Sequence, residues 1–120
     1  MERPIQVTLE TTLQKVREMV DVNIEFTRGV LFVRLTGLLN EISSFDVEEK
    51  VFEIIRDGGI RFIVFNTSNL IIKGNVPLFE RCKRVLEEND GRMLICGDEM
   101  SAYDLEYVSD ELSALKLLSI

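Results

Sequence analysis

The sequence predicts an α/β fold, a single-domain mixed β-sheet with helices mainly on one side, in the order β-β-α-β-α-β-α. Three observations carry this. Val22, Ile24 and Phe26 alternate with polar residues, and Arg28-Gly29 separates them from a second run over 30–36, the pattern of a hairpin with one wet face. Residues 60–65 are apolar apart from Arg61, as a central strand covered on both faces requires. Amphipathic segments at helical spacing follow each later strand, so strands and helices alternate and right-handed crossovers are expected. At 120 residues the chain is one domain by length.

Residues 1–20 read as an N-terminal extension to a domain over 21–120. Ile5, Val7 and Leu9 alternate as a short strand over 4–9 would, and Leu13, Val16, Met19 and Val20 take helical spacing, giving a helix near 11–20 capped by Thr11 or Thr12. This extension is suited either to covering a sheet edge or to dimerisation. The hairpin follows, its second strand ending at Gly37 and leading through Leu38-Leu39-Asn40 into a loop. Ser43 or Ser44 is placed to cap the next helix, with Asp46 and Glu48 in its first turn. Val47, Val51, Ile54 and Ile55 form its core stripe, and Gly58-Gly59 closes it.

After the central strand, a loop over 66–77 leads to a helix beginning near Pro77, with Asn75 as its expected cap. That helix buries Leu78, Phe79, Cys82, Val85 and Leu86, and Asn89-Asp90-Gly91 ends it. A strand over 93–97, a short helix near 101–108 and an apolar tail with a short final strand complete the chain.

Composition excludes several function classes. A net charge of -7 argues against nucleic acid, which rewards clustered Lys and Arg. No apolar run approaches the roughly 18 residues a membrane span needs, and the N-terminus lacks a signal-peptide core, so a cytoplasmic protein without membrane insertion is expected. Histidine is absent, which removes the commonest general base and most zinc patterns. Cys82 and Cys96 have no CxxC spacing and read as small core residues in a reducing cytosol. No glycine-rich nucleotide fingerprint follows a strand. Acids from Asp98 to Glu111, unaccompanied by Lys or Arg, read as a solvated face. Lys73, Arg81, Lys83, Arg84 and Arg92 read the same way, balanced by Glu80, Glu87 and Glu88. No catalytic residue, metal or cofactor is predicted.

Three stretches in order carry a resemblance: Val33-Arg34-Leu35-Thr36-Gly37-Leu38-Leu39-Asn40, Phe62-Ile63-Val64-Phe65-Asn66-Thr67-Ser68-Asn69-Leu70 and Arg92-Met93-Leu94-Ile95-Cys96-Gly97. Together they resemble the STAS domain, the fold of bacterial anti-sigma factor antagonists, over residues 22–120. In that family a D-S-S-G motif opens the central helix, and an anti-sigma serine kinase phosphorylates its first serine. The ungapped register puts Gly74 at the acid, Asn75 at that serine, Val76 at the second serine and Pro77 at the glycine. No Ser, Thr or Tyr lies between Asn69 and Leu78. The resemblance thus implies an interaction module without the serine switch, whose partner surface comprises Asn40, Lys73, Gly74, Asn75, Val76, Pro77 and Arg81. The implied partner is an anti-sigma factor, a serine kinase-like protein or another STAS protein, with a homodimer as a further option. Thr67 and Ser68, expected in a turn one loop away, are the nearest other hydroxyls. The alternative is a small anionic-ligand or transport-associated accessory domain, with the anion at the helix start near Asn75.

Overall fold

Alternation in the sequence becomes the register of one five-stranded sheet. The computed structural model describes residues 20–100 and 103–118. The expected strand over 4–9 and the expected helix up to residue 19 lie outside them, while Val20 opens the first strand instead of closing a helix. Strands β1 (Val20–Thr27) and β2 (Val30–Leu39) form the antiparallel hairpin, with Thr27 opposite Val30. Helix α1 (Glu41–Gly58) leads to β3 (Phe62–Ile72), and α2 (Leu78–Glu88) to β4 (Arg92–Cys96), both parallel additions. A two-residue β5 (Tyr107–Val108) pairs parallel to β4, and α3 (Glu111–Leu118) follows. Strand order is β1-β2-β3-β4-β5.

The period of two sorts side chains between the faces. Leu31, Val33, Leu35, Ile63, Phe65, Met93 and Ile95 turn toward α1 and α2 and make the main core with Val47, Val51, Phe79, Cys82 and Leu86. Val30, Phe32, Val64, Leu94 and Cys96 turn the other way and pack with Ala114 and Leu118 of α3. Two of the three helices in the described residues thus share one face, the mixed-sheet layout the sequence predicts.

Several boundaries differ from expectation; β2, for one, runs past Gly37 to Leu39, where it still pairs with β3. Helix α1 starts earlier, because Asn40 is its cap. Asn40 Oδ1 accepts from the N–H groups of Ile42 (3.0 Å) and Ser43 (2.9 Å), and Ser43 Oγ accepts from the Asn40 N–H at 2.9 Å, a reciprocal capping box. Ser43 and Ser44 therefore lie inside the helix, not ahead of it. The expected end holds: Gly59, at φ 62°, gives its N–H to Ile55 O, a left-handed cap that suits glycine.

Strand β3 runs on through Asn66-Thr67-Ser68-Asn69, read from sequence as loop. Arg34 pairs with Asn66 and Thr36 with Asn69, so β3 carries one extra residue and bulges. The Asn66 side chain holds the bulge by accepting from the Ser68 N–H at 3.0 Å. Beyond it Leu70 and Ile72 pack on the helix-side core, while Ile71 is exposed.

The expected helix near 101–108 is replaced, in its described part, by extended chain entering β5, and the apolar tail forms α3, so the final strand precedes the final helix. Asp110 opens α3, its carboxylate accepting from the Ser113 N–H at 2.7 Å. Among the described residues no helix is long and apolar enough to cross a membrane.

Candidate protein-interaction surface

The loop between β3 and α2 is reduced to residues 73–77. The Lys73 N–H makes the last bond of the β2–β3 ladder, to Leu39 O at 2.9 Å. Gly74 then turns at φ 81°, the left-handed region where a Cβ is costly. Lys73, Gly74 and Asn75 are exposed, whereas Val76 is 0 % exposed and belongs to the core. The expectation that Val76 shares the partner surface is corrected here: its apolar side chain anchors the loop from below. Asn75 is corrected as well. The N-cap of α2 is Pro77, with no side-chain cap bond, because the polar side chain sits two residues too early.

Asn40, expected on this surface, is half-buried and engaged in capping α1. Arg81, one turn into α2, gives Nη1 to Glu48 Oε1 at 2.8 Å, and the Glu48 side chain is only 11 % exposed. That pair ties α1 to α2. Between the two helix starts lies a cleft of about 230 Å³, lined by Glu41, Ser44, Phe45, Asn75, Pro77 and Arg81 among others. The Ser44 hydroxyl behind it is buried and has no hydrogen-bond partner among the described residues. On the α1 side, Ile42 is 60 % and Phe45 64 % exposed.

The structure therefore gathers Lys73, Gly74, Asn75, Pro77 and Arg81 on one surface and adds Glu41, Ile42, Ser44, Phe45 and Glu48 from α1. Sequence reasoning missed this second group. A signal was present: Ile42 and Phe45 are out of phase with the Val47–Val51–Ile55 stripe, so the helix that buries one set must expose the other.

Little here can react. Burial pushes the Cys82 thiol up to about 12 and the Cys96 thiol up to about 11, so both stay protonated at neutral pH. Among the described residues, no group of three or more Cys, Asp or Glu could hold a metal ion. Thr67 is 8 % exposed and donates to Cys96 O, and Ser68 is exposed in the bulge. Both lie in β3, not in the turn expected from the sequence.

A second polar cluster sits on the opposite sheet face. Arg34 forks onto Glu111, with Nε to Oε2 and Nη2 to Oε1 both at 2.8 Å, and Asn66 Nδ2 also donates to Glu111 Oε2 at 2.8 Å. Arg34 Nη1 reaches Asn23 and Glu25 on β1. The Arg34 guanidinium holds the Glu111 carboxyl below the usual carboxylate range, with the Asn66 bond adding to it. Arg92 and Glu106 pair likewise. The acidic stretch is thus only partly a solvated face, since two of its acids fasten the C-terminal part to the sheet.

An antiparallel hairpin continued by two parallel strands, with a helix before each, defines a STAS-like α/β domain, the fold class the sequence resemblance implied. The comparisons agree. No protein-family model matches the sequence. Among solved structures, the chain is similar to the anti-sigma factor antagonist SpoIIAA in its unphosphorylated form, with 20% identity over 82% of this chain and 97% of that one, at a TM-score of 0.70. It is also similar to the phosphorylated form of SpoIIAA, described as a Bacillus cell fate determinant, with 18% identity over 81% of this chain and 99% of that one, TM-score 0.64. A protein of the DUF3478 family from Shewanella loihica, described as having a SpoIIAA-like fold, matches with 14% identity over 82% and 93%, TM-score 0.53. At these identities the likeness is one of fold.

Proposed function

We propose that this protein is a non-catalytic interaction module, cytoplasmic and bacterial, that regulates transcription or a signalling assembly by docking a protein partner on the surface between the starts of α1 and α2. The observation that carries the reading is the exposure of Ile42 and Phe45 beside a loop that has no hydroxyl between Asn69 and Leu78. Two large exposed apolar side chains beside a cleft are what a partner's anchor residues need. A neutral Asn75, at the position that the ungapped STAS resemblance gives to the phosphorylated serine, keeps that surface in one covalent state. Phosphate there would add about two negative charges, and Asn75 offers no atom to receive it. The partner classes this supports are an anti-sigma factor, a serine kinase-like protein or another STAS protein.

The small-anion alternative has weaker support. Glu41 lines the cleft beside the Arg81–Glu48 ion pair, so two acids stand there against one base, which disfavours an anion at the α2 start.

Affinity capture from the native host tests the reading. The wild type is expected to retain a regulator of one of those classes, and Phe45→Asp to lose it while keeping the wild-type circular dichroism and melting curve. Identical capture by wild type and variant would overturn the proposal. Phosphopeptide mapping is expected to find no modification at Thr67 or Ser68.

A further inference from the structure

We propose that the cleft between the C-terminal ends of α1 and α2 binds a small amphiphile, an apolar tail carrying one anionic head group. The site lies at the opposite end of these helices from the 73–77 loop and does not depend on the partner proposed above.

At their starts the two helices pack over buried Val76, Leu78 and Phe79 and leave the smaller cleft described above. At their ends they leave a cleft of about 650 Å³, within the roughly 300–1,000 Å³ typical of ligand sites. Ile55 and Ile60, 7 % and 9 % exposed, form its floor, and half-buried Phe52 and Val85 are its walls. These apolar surfaces gain by covering. A tail suits them.

The charge of the rim selects the head. The chain has 21 acids against 14 bases, yet among the described residues no acid lines this cleft, and Arg56 and Arg61 do. Among the described residues Arg56 meets only its neighbour Asp57, at 3.7 Å with both side chains about 70 % exposed, a pair that holds little. Arg61 gives Nη2 to Asp90 O at 2.9 Å and stacks on Phe62 at 5.6 Å, which positions a guanidinium with further donors. The last helix carbonyls would repel an anion, but several are already engaged. Ile55 O accepts from the Gly59 N–H, Leu86 O from the Gly91 N–H at 2.7 Å, and Val85 O from Asn89 Nδ2. A neutral tail alone would desolvate the arginines without pairing them, and a bare anion would leave the floor wet. The geometry asks for both parts in one molecule.

Calorimetric titration of the full chain tests this, with decanoate, decyl phosphate, decanol and decyltrimethylammonium, each below its micelle concentration. Saturable one-to-one binding is expected for at least one of the two anions, and their ranking separates a carboxylate head from a phosphate head. Decanol should bind about tenfold or more weakly, the worth of a charge-assisted bond, and decyltrimethylammonium not at all. Arg56→Gln and Arg61→Gln should each weaken the anion several-fold and leave decanol unchanged. Val85→Glu, at a half-exposed position, should abolish binding with the circular dichroism spectrum retained, whereas Phe45→Asp should not alter it. Equal affinity for decanol and the anions, no saturable binding of either anion, or no effect of either arginine variant would overturn the proposal.

Discussion

The two faces of the sheet are fastened by different forces. The face under α1 and α2 is closed by aliphatic and aromatic packing, with Phe79 edge-on to both Phe65 (5.2 Å) and Tyr103 (5.9 Å). Among the described residues the other face carries only the eight-residue α3, too short to hold itself in water, and there an Arg34–Glu111–Asn66 network supplements a few apolar contacts. Apolar burial is indifferent to pH, whereas an ion pair is not. One face of the sheet is therefore held to its helix partly by an ion pair on the sheet itself, and the other chiefly by apolar packing.

Phe79→Ala attacks the apolar face and should have the largest effect, a loss of about 3–5 kcal/mol in chemical denaturation. A loss below about 1 kcal/mol would mean that this face is not the main source of stability. Glu111→Gln attacks the other face and should cost about 1–2 kcal/mol at neutral pH. Its pH dependence separates the faces more sharply. The folded Glu111 pKa is depressed, so its contribution is complete above the unfolded value near pH 4.3 and is lost as pH falls through the folded value. Wild-type stability should drop across that acid range, and Glu111→Gln should flatten the drop.

Asn40→Ala removes the reciprocal cap of α1 and should cost about 1 kcal/mol, measured as a lower denaturation midpoint with an unchanged m-value. Smallest on stability is Phe45→Asp, expected within about 0.5 kcal/mol of wild type because the ring is exposed. That neutrality is what allows it to report on partner docking alone.

How much could be read in advance followed from whether a residue's partner was near in sequence. The pairing of the hairpin, the α2 stripe except for Val85, which is only half-buried, and the Gly59 cap are local patterns, and they stand as read, although β2 runs past Gly37 to Leu39. The strand after the α1 crossover was legible only to Phe65. Asn66 to Asn69 have turn composition, and their strand character comes from a bulge set by β2, a partner some thirty residues away. Glu111 looked like one acid among many, because its meaning lies in Arg34 across the fold. Of the candidate surface, the 73–81 half was visible in the missing hydroxyls, although Val76 was assigned to the wrong side of the backbone. The α1 half escaped because Asn40 was taken for loop, which hid the helix turn that presents Ile42 and Phe45.

Buried Val76 carries a consequence for motion. A five-residue surface loop would ordinarily open by itself many times for each unfolding of the protein. Here the middle of the loop cannot lift without drawing an isopropyl group out of the core, an event costing about 1.5–3 kcal/mol before any strain is counted. Amide hydrogens flanking Val76 should therefore exchange more slowly than those of the exposed Arg28-Gly29 turn. The surface proposed above for a partner is thus preformed, and binding there would spend little on ordering it.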